Sequence, residues 1–157
     1  MDETGEVDAA NTRDQGRRAD RRSPRPLTGT ERALLDALLA HDFPGAPVLR
    51  EQAAEVTATP GCTCGCGTLD LHVPVTAPTV AAGGPAPVEG TIRGAGGRPL
   101  GGVLLFVEDG RLSRLDVTSH GDPLPVPAPA QVTWGPTVWA GADTVRRPAR
   151  WRRDQQR

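Results

Sequence analysis

The chain has 157 residues, 37% of them hydrophobic and 3% aromatic, which allows one domain with a modest core and excludes a membrane-spanning run. All 18 basic residues are arginine and Ile92 is the only isoleucine, a usage that reports a GC-rich bacterial genome and does not by itself point to nucleic acid. The net charge of −1 hides a division: residues 27 to 145 carry twelve acids against six arginines, and residues 146 to 157 carry six arginines against Asp154, so the body repels polyanions and suits a basic partner.

Residues 1 to 26 are charged, poor in apolar side chains and end in Ser23-Pro24-Arg25-Pro26, so they are expected to form a disordered N-terminal tail. They open without a basic region followed by an apolar one, which predicts no signal peptide and a cytoplasmic location. Thr28-Gly29-Thr30-Glu31 has the capping-box spacing, and Leu34, Leu35, Leu38 and Leu39 follow as one helical stripe. Phe43-Pro44-Gly45 stops that helix near His41. A second helix is expected from Pro47 through Val48, Leu49, Gln52 and Ala53, because a first-turn proline loses no bonded amide.

Beyond Val56 the period becomes alternating. Leu69, Leu71, Val73 and Val75 oppose Thr68, Asp70 and His72, the pattern of a half-buried strand. Residues 77 to 87 are expected to be a loop, Val88 to Arg93 a strand, and Gly94-Ala95-Gly96-Gly97 a turn, since it lacks the lysine and helix of a phosphate loop. Glu108-Asp109-Gly110-Arg111 predicts a type I′ hairpin that pairs Glu108 with Arg111, Val107 with Leu112 and Phe106 with Ser113. In that register Leu104, Phe106, Leu115 and Val117 share one face, while Val103, Leu105, Val107 and Leu112 share the other. Two helices cover only one of them, leaving the second for loops, a second copy or a partner.

Alternate prolines from Pro123 to Pro129 favour an extended rod without a ladder and lack the spacing of an SH3 ligand. Trp134 and Trp139 are placed to pin the following segment onto the body. The expected fold class is α+β, with two N-terminal helices packed on a small antiparallel sheet of three to four strands and disordered termini. The expected boundaries are a tail at 1–26, a single domain at 27–129 and a flexible Trp/Arg-containing tail at 130–157.

The chemistry is concentrated in Cys62-Thr63-Cys64-Gly65-Cys66. Thiolates select zinc, copper(I) or iron–sulfur centres, and zinc is the ion considered, with Cys62, Cys64, Cys66 and His72 as ligands. In a regular strand Cys62 and Cys66 would stand roughly 13 Å apart, and the Cys-x-x-Cys pair from a second part of the chain that structural zinc sites use is missing. The cluster is compatible with a metal site only if the glycines at 61, 65 and 67 coil the backbone; a redox role or inert small residues are the other readings. No nucleophile is placed beside Asp70 and His72, or beside His120 and Asp122, so no catalytic residue is assigned.

The stretches Leu27-Thr28-Gly29-Thr30-Glu31-Arg32, Asp42-Phe43-Pro44-Gly45, Leu49-Arg50-Glu51-Gln52, Cys64-Gly65-Cys66 and Leu104 to Leu112 resemble those of a group of small uncharacterised proteins from GC-rich bacteria, some of which resemble toxin-immunity proteins. The resemblance covers residues 27 to 129 and implies one compact α+β domain. The expected function is a non-enzymatic cytoplasmic binding protein that docks a protein partner, or itself, through its acidic body. No nucleic acid, membrane span or small-molecule substrate is expected. A metal-binding or thiol protein built on the cysteines is the alternative.

Overall fold

The computed structural model describes residues 23–81 and 83–137. Helix α1 (Gly29–Leu39) starts where the capping box predicts: the Thr28 hydroxyl accepts from the Glu31 amide at 3.2 Å and the Glu31 carboxylate accepts from the Thr28 amide at 3.4 Å. Glu31 is buried and also pairs with Arg25 at 2.8 Å, which ties the chain entering the helix to its first turn. Helix α2 (Ala46–Ala53) carries Pro47 in its first turn. Each helix has C-terminal carbonyls bonded by an arginine of the other: Arg50 donates to the carbonyl of Leu39 and Arg32 to that of Ala53.

Seven strands, β1 (Arg25–Pro26), β2 (Thr57–Pro60), β3 (Leu69–His72), β4 (Gly84–Arg93), β5 (Pro99–Glu108), β6 (Arg111–Ser119) and β7 (Val132–Pro136), form one antiparallel sheet in the order β1-β2-β3-β6-β5-β4-β7. This overturns the expected three- to four-stranded sheet behind N-terminal helices and a disordered end. One strand precedes the helices, and another lies beyond residue 130. Proline explains part of the difference. Pro26 lies in a two-residue edge strand, and Pro85 borders and Pro87 lies within the register shift between Pro85 and Glu89, where a missing amide breaks no regular ladder. The disorder expected of residues 1 to 22, Trp139 and the arginine-rich end lie outside the described residues.

The β5–β6 hairpin turns at Asp109 and Gly110, both with positive φ (51° and 75°), and pairs Glu108 with Arg111 and Val107 with Leu112 as predicted. The expected pairing of Phe106 with Ser113 does not form. Ser113 is an extra residue in the ladder, and Phe106 pairs with Arg114 instead. That one-residue bulge reverses the phase of everything after it. Leu115 and Val117 join Val103, Leu105, Val107 and Leu112 on the buried face, under Leu34, Leu35, Leu38, Leu39 and Leu49 of the helices. The opposite face keeps Leu104 and Phe106, both half-buried, beside Arg114 and Asp116. Two of the four apolar residues expected on the second face, Leu115 and Val117, therefore lie in the core.

Gln52 locks the helices to this hairpin. Its buried side-chain amide donates to the carbonyls of Pro78 (2.8 Å) and Gly110 (2.9 Å), and its oxygen accepts from the Leu112 amide at 2.9 Å. At the other edge Trp134 of β7 packs against the core and meets the His41 ring at 5.7 Å between centroids and 56° between planes.

Two outcomes follow from this packing. Gln52→Leu strands the buried Leu112 amide, while the Gly110 carbonyl keeps the Val80 amide, so chemical denaturation is expected to show a loss of about 1–3 kcal/mol; a change within experimental scatter would show that the clamp contributes nothing. Deleting Ser113 returns Leu115 and Val117 to the solvent side, and the variant is expected to lose its cooperative unfolding transition.

Candidate metal centre

β2 and β3 form a hairpin, pairing Thr59 with Asp70 and Pro60 with Leu69, and its connecting loop carries all three cysteines. The loop is closed at its base, where the Gly61 amide donates to the Thr68 carbonyl at 2.9 Å. From the neighbouring strand Arg114 reaches over, donating to the Gly61 carbonyl at 3.3 Å while pairing with Asp70 at 3.3 Å and Asp116 at 3.6 Å. On the other side the buried Thr68 hydroxyl accepts from the Val117 amide at 3.0 Å, and Asp116, the Val117 carbonyl and the Cys66 sulfur share its single proton as alternative acceptors.

The proline-rich segment supplies the third anchor. The Gly67 amide donates to the Leu124 carbonyl at 2.7 Å, and the backbones run so close that a Cβ at Gly67 would stand 2.4 Å from the Val126 nitrogen. Gly65, with φ of 88°, turns the chain between the last two cysteines through a conformation that L side chains resist. Between these anchors the chain coils, and the Cys64 amide donates to the Cys62 sulfur at 3.3 Å.

The three sulfurs consequently lie within 4.8 Å of one another, all as free thiols. Around an ion with metal–sulfur bonds of about 2.3 Å, sulfurs are about 3.8 Å apart in a tetrahedral site and about 4.0 Å apart in a planar three-ligand site. The cluster is thus close to the shape of either. Cys62 and Cys66 are half-buried and Cys64 is exposed, so the group opens to solvent on one side.

His72, expected as a fourth ligand, lies at the far end of β3. Its Nε2 is 2.8 Å from the Thr59 hydroxyl, and among the described residues the mutually close donor atoms are the three sulfurs alone. His120 is exposed just beyond β6, with its amide bonded to the Leu100 carbonyl. Sequence reading passed over the residues that shape the loop, namely Thr68, Arg114, Leu124 and Val126. Opposite charges on Asp70 and Arg114 were the available hint, but only the bulge at Ser113 brings them level.

The thiols are electrically unlike. Hydrogen bonding from the Thr68 hydroxyl, then from Cys64, stabilises the Cys66 thiolate and lowers its pKa to about 7. Hydrogen bonding to Cys62 and then to Cys66 favours the protonated form of Cys64, raising its pKa to about 11. Compared with protein-family models, curated proteins and solved structures, the chain matches none. Among the described residues no helix is long and apolar enough to cross a membrane.

A lowered pKa means the nucleophilic thiolate is present at lower pH, so metal-free, reduced protein is expected to be alkylated first at Cys66, with a midpoint near pH 7, and last at Cys64, with a midpoint near 11. Peptide mapping after timed iodoacetamide treatment checks the order; equal labelling of Cys64 and Cys66 at neutral pH would contradict it.

Proposed function

We propose that this protein binds a soft metal ion through Cys62, Cys64 and Cys66 and performs no reaction of its own. The observation that carries the reading is the approach of the three sulfurs to within 4.8 Å in a loop held by backbone bonds at Gly61 and Gly67. Soft thiolates discriminate in favour of zinc, copper(I) and iron–sulfur centres over hard cations, so the donor set itself selects the class of ion. A binding role, as opposed to a catalytic one, is supported by the placement of the histidines. His72 is engaged with Thr59, and among the described residues no imidazole or carboxylate shares the thiol group.

Charge favours a second reading, the docking of a basic, toxin-like protein partner in the manner of an immunity protein. Residues 23 to 137 hold eleven acids and seven arginines. Such an association would weaken as salt rises through about 0.1 M, where exposed charges are screened beyond about 10 Å.

Titration of reduced protein with zinc(II) against a chromophoric chelator tests the first reading. About one equivalent is expected to bind, with protons released, and Cys64→Ser is expected to weaken binding without unfolding the chain, since its side chain is exposed. Arg114→Met, which frees the Gly61 carbonyl, is expected to weaken binding less than loss of a sulfur does. Retention of under about half an equivalent by the parent protein would refute the proposal.

A further inference from the structure

The three thiols also define what the site lacks. Among the described residues the donors nearest to completing a tetrahedron are already engaged: Asp70 is paired with Arg114, Asp116 with Arg114 and the Thr68 hydroxyl, and His72 is bonded to Thr59. The loop cannot readily swing to seek another. Its first residue is tied to Thr68 and Arg114, and its last glycine lies against the backbone of Val126. Zinc in a closed protein site takes four ligands, so here it would need water or an outside ligand in the fourth position. Copper(I), a soft monovalent ion with a filled d shell, is satisfied by three thiolates in a plane and has no need of a fourth.

On this basis, and resting on the metal-binding reading above, we propose that the cognate ion is a single copper(I) bound by Cys62, Cys64 and Cys66 in three-coordinate form, and that the exposed Cys64 edge is where it enters and leaves. Binding forms three copper–sulfur bonds and releases the thiol protons to solvent; the copper arrives already reduced, and no electron moves. The residual negative charge of the complex is exposed to water at Cys64 and lies one residue from the carbonyl that Arg114 holds. Because Cys64 is exposed, an incoming thiolate from another molecule can approach the ion and displace one sulfur at a time. That is how a copper(I) ion is passed without ever being free.

The test uses the full chain, reduced and kept free of oxygen. Copper(I) is supplied from a chromophoric copper(I) chelator present in excess, and the loaded protein is studied by X-ray absorption. One copper per chain is expected, with a shell of three sulfurs and no nitrogen or oxygen, whereas the zinc(II) form should show three sulfurs and one lighter atom. His72→Ala should leave copper loading unchanged, and Cys62→Ser, Cys64→Ser and Cys66→Ser should each lose retention against the chelator while circular dichroism stays that of the parent. A nitrogen or oxygen in the copper shell, loss of loading in His72→Ala, more than one copper per chain, or zinc(II) retained in the face of equimolar copper(I) would overturn this inference while leaving metal binding in place. Failure to retain either ion would overturn both.

Discussion

The structure turns on one inserted residue. Ser113 bulges out of β6 directly after Leu112, and the strand beyond it is rotated by one side-chain position. Two requirements are met by that step. Leu115 and Val117 move beneath the helices, so β6 contributes apolar groups to the core along its whole length. Arg114 and Asp116 move to the outer face, where Arg114 meets Asp70 and reaches the carbonyl of Gly61. Without the bulge, β6 would bury an arginine and an aspartate in a leucine core, a placement that costs several kcal/mol for each charge. Core and cysteine loop are therefore set by the same register.

From that register the loop acquires its shape by backbone chemistry. Leu115 pairs with Leu69, which brings Asp116 level with Thr68, and the Thr68 hydroxyl takes the amide of the next residue, Val117. A hydroxyl serves here as an extra rung of the ladder just where β3 gives way to loop. The proline-rich segment then closes the other side. Its prolines cannot donate to a ladder, but the carbonyl of Leu124 is free to accept from Gly67, and the absence of a side chain at Gly67 allows the approach. The cysteines are coiled because three separate strands of chain hold their flanks.

Local signals were legible and the long-range ones were not, for a physical reason. A capping box at Thr28 and Glu31, a helix opened by Pro47 and a turn at Asp109-Gly110 are decided by neighbouring residues, and each appears where the sequence places it. The bulge leaves no comparable mark. Leu112 to Val117 reads apolar at both 112 and 115, which fits either an alternating strand with two faces or a bulged strand with one, and burial by the distant helices decides between them. The first residues of β4, expected as loop up to residue 87, and all of β7 are obscured by Pro85, Pro87 and Pro136, because the edge and bulge positions that tolerate proline are known only once the strand order is known. In a regular strand the cysteine spacing corresponds to about 13 Å. What failed was the premise of regular backbone, since β3 begins at Leu69 and the thiols lie in the preceding loop.

The position of the thiols also bears on what a bound ion would do for the fold. A structural zinc site draws together segments far apart in sequence, and its stabilisation grows with the length of chain it closes. Cys62 to Cys66 spans only a few residues of a loop whose ends are already joined through Gly61 and Thr68. An ion there closes almost no additional chain, so little of its binding energy is coupled to folding, and the leucine core under α1 and α2 stands without it. A site that neither nucleates nor staples its domain keeps its affinity for the ion itself. Together with an exposed Cys64, that separation of binding from folding is what a protein needs if it is to take up a soft ion and give it up again while remaining folded in both states.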